Sequence, residues 1–255
     1  MNKNLNYKDL KEYLDDKYNK FANVSFIEND PIYIPHQFTK KEDIEISGFI
    51  TATIAWGQRK SILNNAKKFM NLMNDSPYDF IMNHSEHELE KLKLAVHRTF
   101  NGEDLIFFVR SLKNIYQNHS GLENIFCEKQ TSYDGLINFY NTFFSIPCPP
   151  RTRRHVANVA SGSAGKRLNM FLRWMVRKDN RGVDFGLWDN ISPADLFIPL
   201  DVHSGRIARL LGLLNRKQND WKSVVELTNE LRKFDPKDPI KYDFALFGVG
   251  VNEDL

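Results

Sequence analysis

Apolar residues in this chain recur at intervals of three and four, and alternation at intervals of two is almost absent. That periodicity commits the chain to amphipathic helices that pack on one another. Leu10, Leu14 and Tyr18 share one face of a first helix, which Asn6 can cap. Thr39-Lys-Lys-Glu42 has capping-box spacing, ahead of an apolar run that ends at Trp56 and Gly57. Ile62, Ala66, Phe69, Met70 and Met73 form the next stripe. Ser76-Pro77 has the form of a cap with a first-turn proline, and Ser85-Glu-His-Glu88 that of another capping box. Asn101 is placed to cap a helix carrying Leu105, Phe108, Val109, Leu112 and Ile115, and residues 132–144 also read as helical. Asp220 can cap a helix bearing Trp221, Val224, Val225, Leu227 and Leu231. Asp238-Pro239 starts a last one with Tyr242, Ala245, Leu246 and Phe247. The nearest thing to a strand, Pro31-Ile-Tyr-Ile-Pro35, is short and bounded by prolines.

The expected fold class is all-α. A chain of 255 residues can bury a sizeable core, as one large domain or two small ones. IPCPPRTRR, 146–154, holds three prolines and breaks the helical run as a connection. The expected organisation is one all-helical unit over 1–255, divisible into a helical lobe at about 40–145 and a second part at about 150–247. That second part would hold a hairpin-like segment, site-bearing helices and closing C-terminal helices. Two cysteines, Cys127 and Cys148, cannot by themselves hold a structural zinc or an iron–sulfur cluster. Nor do they suggest a secreted disulfide scaffold. The polar start MNKNLNYKDLKEYLDDKYNK has no apolar signal core, and no run of about 18 apolar residues occurs, so the expectation is a cytoplasmic protein with no membrane partner.

Charge is unevenly spread. From Arg151 to Arg181 there are nine basic residues against one acid, Asp179, while the whole chain carries only +3. Such a local excess fits a phosphate-rich partner; a solvated basic face is the competing reading. Within the block, Ser161-Gly-Ser-Ala-Gly165 precedes Lys166. The helix that follows carries Leu168, Phe171, Leu172, Met175 and Val176 as an apolar stripe, and Lys166, Arg167, Arg173 and Arg177 largely avoid it. Small residues at a helix start let backbone N–H groups approach an anion, although a plain tight turn has the same composition. GSAGKR lacks the spacing of a Walker loop.

Asp201 stands before a helix whose apolar face is Ile207, Leu210, Leu211 and Leu214. An N-cap is the plain reading of such an aspartate. A cap can also be a catalyst, because the helix N-terminus keeps the carboxylate ionised and fixed beside a developing positive charge. A lysine in the same cleft, Lys166, would complete a nucleophile–carboxylate pair. Trp174 and Trp188 could line a base pocket, but buried aromatics are more often core.

The stretch FIPLDVHSGRIARLLGL, 197–213, resembles the helix after the hairpin in helix-hairpin-helix DNA glycosylases, the superfamily of endonuclease III and 8-oxoguanine glycosylase. Those proteins have a small-residue hairpin, a lysine near the start of the next helix, and later Val/Leu-Asp-x-His-x-x-Arg. This chain has SGSAGK at 161–166, LDVHSGR at 200–206 and Leu211-Gly212-Leu213 where the superfamily often has Leu-Gly-Leu. The resemblance implies a two-lobed helical fold, Lys166 as amine nucleophile and Asp201 as the carboxylate. His203 and Arg206 fall on the superfamily's supporting positions. Ser161, Gly162, Ser163 and Gly165, with Arg151, Arg153, Arg154 and Arg167, would hold a nucleic-acid backbone. Gln58, in AWGQR after an early helix, would stand where the superfamily wedges a side chain into the base stack. The chain departs from the pattern in lacking Leu-Pro-Gly-Val-Gly, so its hairpin is degenerate. Its Lys–Asp interval of 35 is long, drawn out by RKDNRGVDFGLWDNIS, 177–192. The archaeal 8-oxoguanine glycosylases are similar in both respects and in an Ile-Pro-x-Asp approach. Leu210 replaces an arginine common in that helix, with Arg209 one position early, and the four-cysteine iron–sulfur loop is absent. The specific resemblance covers about 161–213. Over its whole length the chain also resembles a bacterial family of unknown function that carries RLNMFLRWMVR and PLDVH.

The function these readings lead to is DNA base excision on a damaged base, with an oxidised purine as one candidate, with or without β-lyase activity. No cofactor and no metal is expected. The alternative is a DNA- or RNA-binding protein that keeps the fold without the chemistry. Basic surfaces and aromatic rings serve both polymers, so RNA stays open as a partner.

Overall fold

The structure, a computed structural model, describes residues 6–129 and 131–253. It is mostly α-helical, and the chain divides into two compact units, one made of residues 1–26 and 158–255, the other of 27–157. Among the described residues no helix is long and apolar enough to cross a membrane.

The unit at 27–157 contains α2 (Lys41–Thr53), α3 (Arg59–Leu72), α4 (Pro77–Asn83), α5 (Glu86–Lys91), α6 (Gly102–Asn118), α7 (Leu122–Cys127) and α8 (Ser132–Phe143). Its only sheet among the described residues is a two-residue antiparallel ladder, β1 (Val96–His97) with β2 (Phe100–Asn101). The aromatic content is spent here: Phe49, Phe108, Phe139 and Phe143 meet at ring separations of 4.8 to 5.5 Å. Local cues account for several helix starts. Ser85 with Glu88 and Asn101 with Asp104 both close full capping boxes. Thr39 does not cap α2. Lys40 holds the N-cap position without a side-chain bond, and Glu42 and Asp43 put negative charge into the first turn instead. Pro31-Ile-Tyr-Ile-Pro35 forms short 3-10 turns, because proline fixes φ and removes a donor. The proline-rich connection ends in a 3-10 turn, Pro150–His155.

The other unit joins the N-terminal α1 (Tyr7–Phe21) to α9 (Lys166–Val176), α10 (Val202–Leu210), α11 (Trp221–Phe234) and α12 (Tyr242–Asn252). α12 is apolar on nearly every side, and it packs against α1 and α10. The approach is close: a Cβ on Gly248 would sit 2.3 Å from the Phe21 ring, and one on Gly250 would sit 3.0 Å from His203 Cβ. Trp174 and Trp188 are both buried in this core, so neither lines an open pocket.

Candidate active site

Two helix starts in the unit of α9 and α10 bring Lys166 and Asp201 together. The segment before α9 makes a 3-10 turn at Val159–Ser161, then runs through Gly162 and Gly165, both at positive φ. The backbone pins this segment on two sides. The Ser163 and Gly162 N–H groups donate to Asn158 and Val159 carbonyls at 3.3 and 2.9 Å, and the Trp221 N–H donates to the Gly162 carbonyl at 3.0 Å. Asn169, buried in α9, donates its amide to the Ala164 carbonyl at 3.2 Å. Gly165 at φ 59° would bring a Cβ to 2.9 Å from Val159, so glycine is needed there for conformation and for space. Lys166 is therefore delivered as the first residue of α9 from a fixed turn.

Asp201 is the N-cap of α10. One oxygen, Oδ1, accepts from the Ser204 N–H and the Ser204 hydroxyl, both at 2.8 Å. That leaves Oδ2 for Lys166, whose Nζ lies 3.2 Å away. The aspartate side chain is 9% exposed and the lysine 36%. Burial pushes the Asp201 carboxyl up, but the Lys166 ammonium and the Ser204 hydrogen bonds outweigh it and hold the carboxyl below its ordinary value. Asp201 is thus both a cap and an ionised partner of an amine. The pair places a half-exposed lysine side chain against a nearly buried, ionised carboxylate.

The remaining expected residues divide. His203 Nδ1 and Arg206 Nη2 both donate to the Gly250 carbonyl at 3.2 Å, so they tie α10 to the end of α12. Ser161, Gly162 and Ser163 are exposed on the turn before Lys166. Arg167 is half-buried, and desolvation brings its guanidinium down to about 10. Arg151, Arg153, Arg154 and Gln58 belong to the other unit. There Arg151 is committed to Asp104 at 2.8 Å and to the Thr99 carbonyl at 2.6 Å. Arg153 lies over the Phe144 ring, and Arg154 donates to the Arg151 carbonyl. Gln58 is exposed at the start of α3 and makes no side-chain cap bond.

The basic block is not one solvated face. Lys166, Arg173 and Arg177 lie within about 20° of one line along α9, at positions i, i+7 and i+11. They avoid the apolar stripe as expected, yet Arg173 and Arg177 are buried. Arg173 donates to Asp243 and, at 3.2 Å, to Asp184. Arg177 donates to Asp184 at 2.9 Å, Asp179 at 2.7 Å, Asp238 at 2.9 Å and the Tyr18 hydroxyl at 2.6 Å. α9 is covered on both faces, by hydrocarbon on one and by carboxylates on the other. Two of the nine cations are therefore spent inside the protein, where uncompensated charge would be costly. Asp184 and Asp243 are the residues the sequence reading missed. The one available signal was a lone acid, Asp243, inside the otherwise apolar YDFALFG.

Against known proteins, the profile of a family described as a protein of unknown function, DUF2400, matches residues 30–252. The chain belongs to that family. The DUF2400 match takes in the Lys166–Asp201 pair and the whole charged face of α9, and it leaves out α1. No curated protein and no solved structure matches the chain.

Proposed function

We propose that the protein is a DNA glycosylase of the helix-hairpin-helix type that acts through an amine nucleophile. The observation that supports this most is the 3.2 Å approach of Lys166 Nζ to a capped, ionised Asp201 across 35 residues of sequence. The target nucleotide would leave the duplex, at a cost of a few kcal/mol that base damage lowers. As the C1′–N bond breaks, the departing base takes the electron pair, and Asp201 stabilises the positive charge that builds on the sugar. Lys166, having lost a proton to solvent, bonds to C1′ through its amine; the C1′–O4′ bond then breaks, O4′ takes up the proton that leaves the nitrogen, and the opened sugar is held as a Schiff base. Loss of a C2′ proton then breaks the C3′–O bond and cuts the strand. The exposed turn at 161–163 would meet the phosphate backbone, which positions the duplex without reading its sequence. An oxidised purine is the substrate class the resemblance favours.

The test is base release and strand cleavage on labelled duplexes carrying 8-oxoguanine, uracil or an abasic site. Wild type should release a base from at least one lesion duplex, and Lys166→Ala and Asp201→Asn should each lose that activity by at least about a hundredfold. Salt-sensitive duplex binding with no release on any lesion would establish the non-catalytic reading instead.

A further inference from the structure

We propose that the three residues leading into α11, Asn219, Asp220 and Trp221, form a clasp that sets the Lys166–Asp201 distance, and that Asn219 is its positioning residue. This rests on the reading of the Lys166–Asp201 pair as the active site.

Lys166 and Asp201 stand at two separate helix starts. An ion pair with a half-exposed partner is too weak to hold two helix starts in register by itself. The clasp supplies the tie. On the Lys166 side, Asp220 forms an antiparallel bridge with Ser163, and the Trp221 N–H donates to the Gly162 carbonyl at 3.0 Å. On the Asp201 side, the Asn219 amide donates to the Asp201 backbone carbonyl at 3.2 Å. That carbonyl already accepts the Gly205 N–H of its own helix at 2.9 Å, so Asn219 takes its second lone pair. The Trp221 ring extends the contact, 4.8 Å from the Phe197 ring on the approach to Asp201. Three consecutive residues thus reach both helix starts.

The clasp is itself held. Asn219 Oδ1 accepts from Arg209 Nη2 at 2.7 Å, which turns the amide nitrogen towards Asp201. Arg209 also donates to the Arg216 and Gln218 carbonyls, at 2.8 and 3.1 Å. Arg216 grips Asp220 through two nitrogens, at 2.8 and 2.5 Å, and the Ser223 hydroxyl donates to the Gln218 carbonyl. A glycine makes room for the arrangement: a Cβ on Gly205 would sit 3.0 Å from Asn219 Oδ1 and 3.3 Å from its Nδ2. The arginine that α10 carries one position early is thus the anchor of this loop. Such anchoring matters to catalysis, because a reacting group misplaced by about 1 Å can lose about a hundredfold in rate.

The test variant is Asn219→Asp. It keeps the shape and the bond to Arg209, and it puts an acceptor where the donor to the Asp201 carbonyl stood. Proximity is read without DNA, by zero-length carbodiimide cross-linking of Lys166 to Asp201 and peptide mass spectrometry. The yield should fall about fivefold in Asn219→Asp, the population change that one lost hydrogen bond brings. It should stay at the wild-type level in Lys217→Ala, which alters an exposed side chain of the same loop. An unchanged yield in Asn219→Asp, or an equal fall in Lys217→Ala, would overturn the proposal. Should Asn219→Asp fail to fold, Gly205→Ala, which crowds Asn219 instead, is read in the same way. If wild type gives no cross-link, crystal structures of wild type and Asn219→Asp decide: a pair together in the first and parted in the second supports the clasp, and one separation in both overturns it. On a duplex that wild type cleaves, Asn219→Asp should lower kcat at least about tenfold with KM nearly unchanged. An unchanged kcat would overturn the positioning role and leave the glycosylase reading standing. A clasp that behaves as expected in a protein that releases no base would sink the glycosylase reading alone.

Discussion

Replacing Asp104 by asparagine removes one charge from a side chain that holds the 150–155 turn onto the start of α6. Asp104 is fully buried. Its Oδ1 accepts from the Thr152 hydroxyl at 2.6 Å, and its Oδ2 accepts from Arg151 at 2.8 Å and the Asn101 N–H at 2.9 Å, with His155 Nε2 at 3.2 Å. Burial alone would raise this carboxyl. His155, Thr152 and Asn101 together outweigh burial and hold it at about 2, against an ordinary 3.8. The difference corresponds to about 2 kcal/mol of preference for the ionised folded form. Because the folded value is the lower one, that stability is complete above about pH 5 and is lost as pH falls through 3.8 towards 2. Asparagine keeps the shape and mimics the neutral acid. At pH 7 the variant should be about 2 kcal/mol less stable by urea unfolding, with melting lowered by roughly 4–8 °C. The two proteins should converge near pH 2. A gap below about 0.5 kcal/mol at pH 7, or one that persists unchanged at pH 2, would refute the reasoning.

Asp201→Ala should cost about 1 kcal/mol in urea unfolding through loss of the α10 cap, on top of the Lys166 ion pair, whereas Asp201→Asn, a good cap, should lose only the ion-pair part of the stability together with base release. If both variants lose stability alike, the aspartate is chiefly half of an ion pair. Gly165→Ala should destabilise more than Gly162→Ala. Both sit at positive φ, which costs roughly 1–2 kcal/mol for a side chain, but only the Gly165 Cβ meets a neighbour, Val159, at 2.9 Å. Equal losses would mean that the turn before Lys166 yields to the added atom.

Local chemistry was legible in the sequence and distant pairing was not. Asn6, Ser85, Asn101 and Asp220 all cap helices as their spacing implied, since a cap needs only the next three residues. Thr39 failed because the helix starts one residue later, and first-turn acids can replace a capping box. The four-residue ladder at 96–101 is too short to leave a period in the sequence. The stripe on α9 showed which residues face the hydrocarbon core. It could not show what covers the other face, because Arg173 finds Asp243 70 residues away. A cation facing water and a cation facing a buried carboxylate have the same periodicity. Lys166 and Asp201 were named by residue type and motif, and only the fold decides that their side chains touch.

The most direct measurement is borohydride trapping on duplexes carrying 8-oxoguanine or an abasic site, with the cross-linked peptide located by mass spectrometry. The account predicts a covalent protein–DNA adduct at Lys166 that is absent in Lys166→Ala. An adduct at another lysine, or base release by wild type with no adduct on any duplex, would contradict the assignment of Lys166 as the nucleophile.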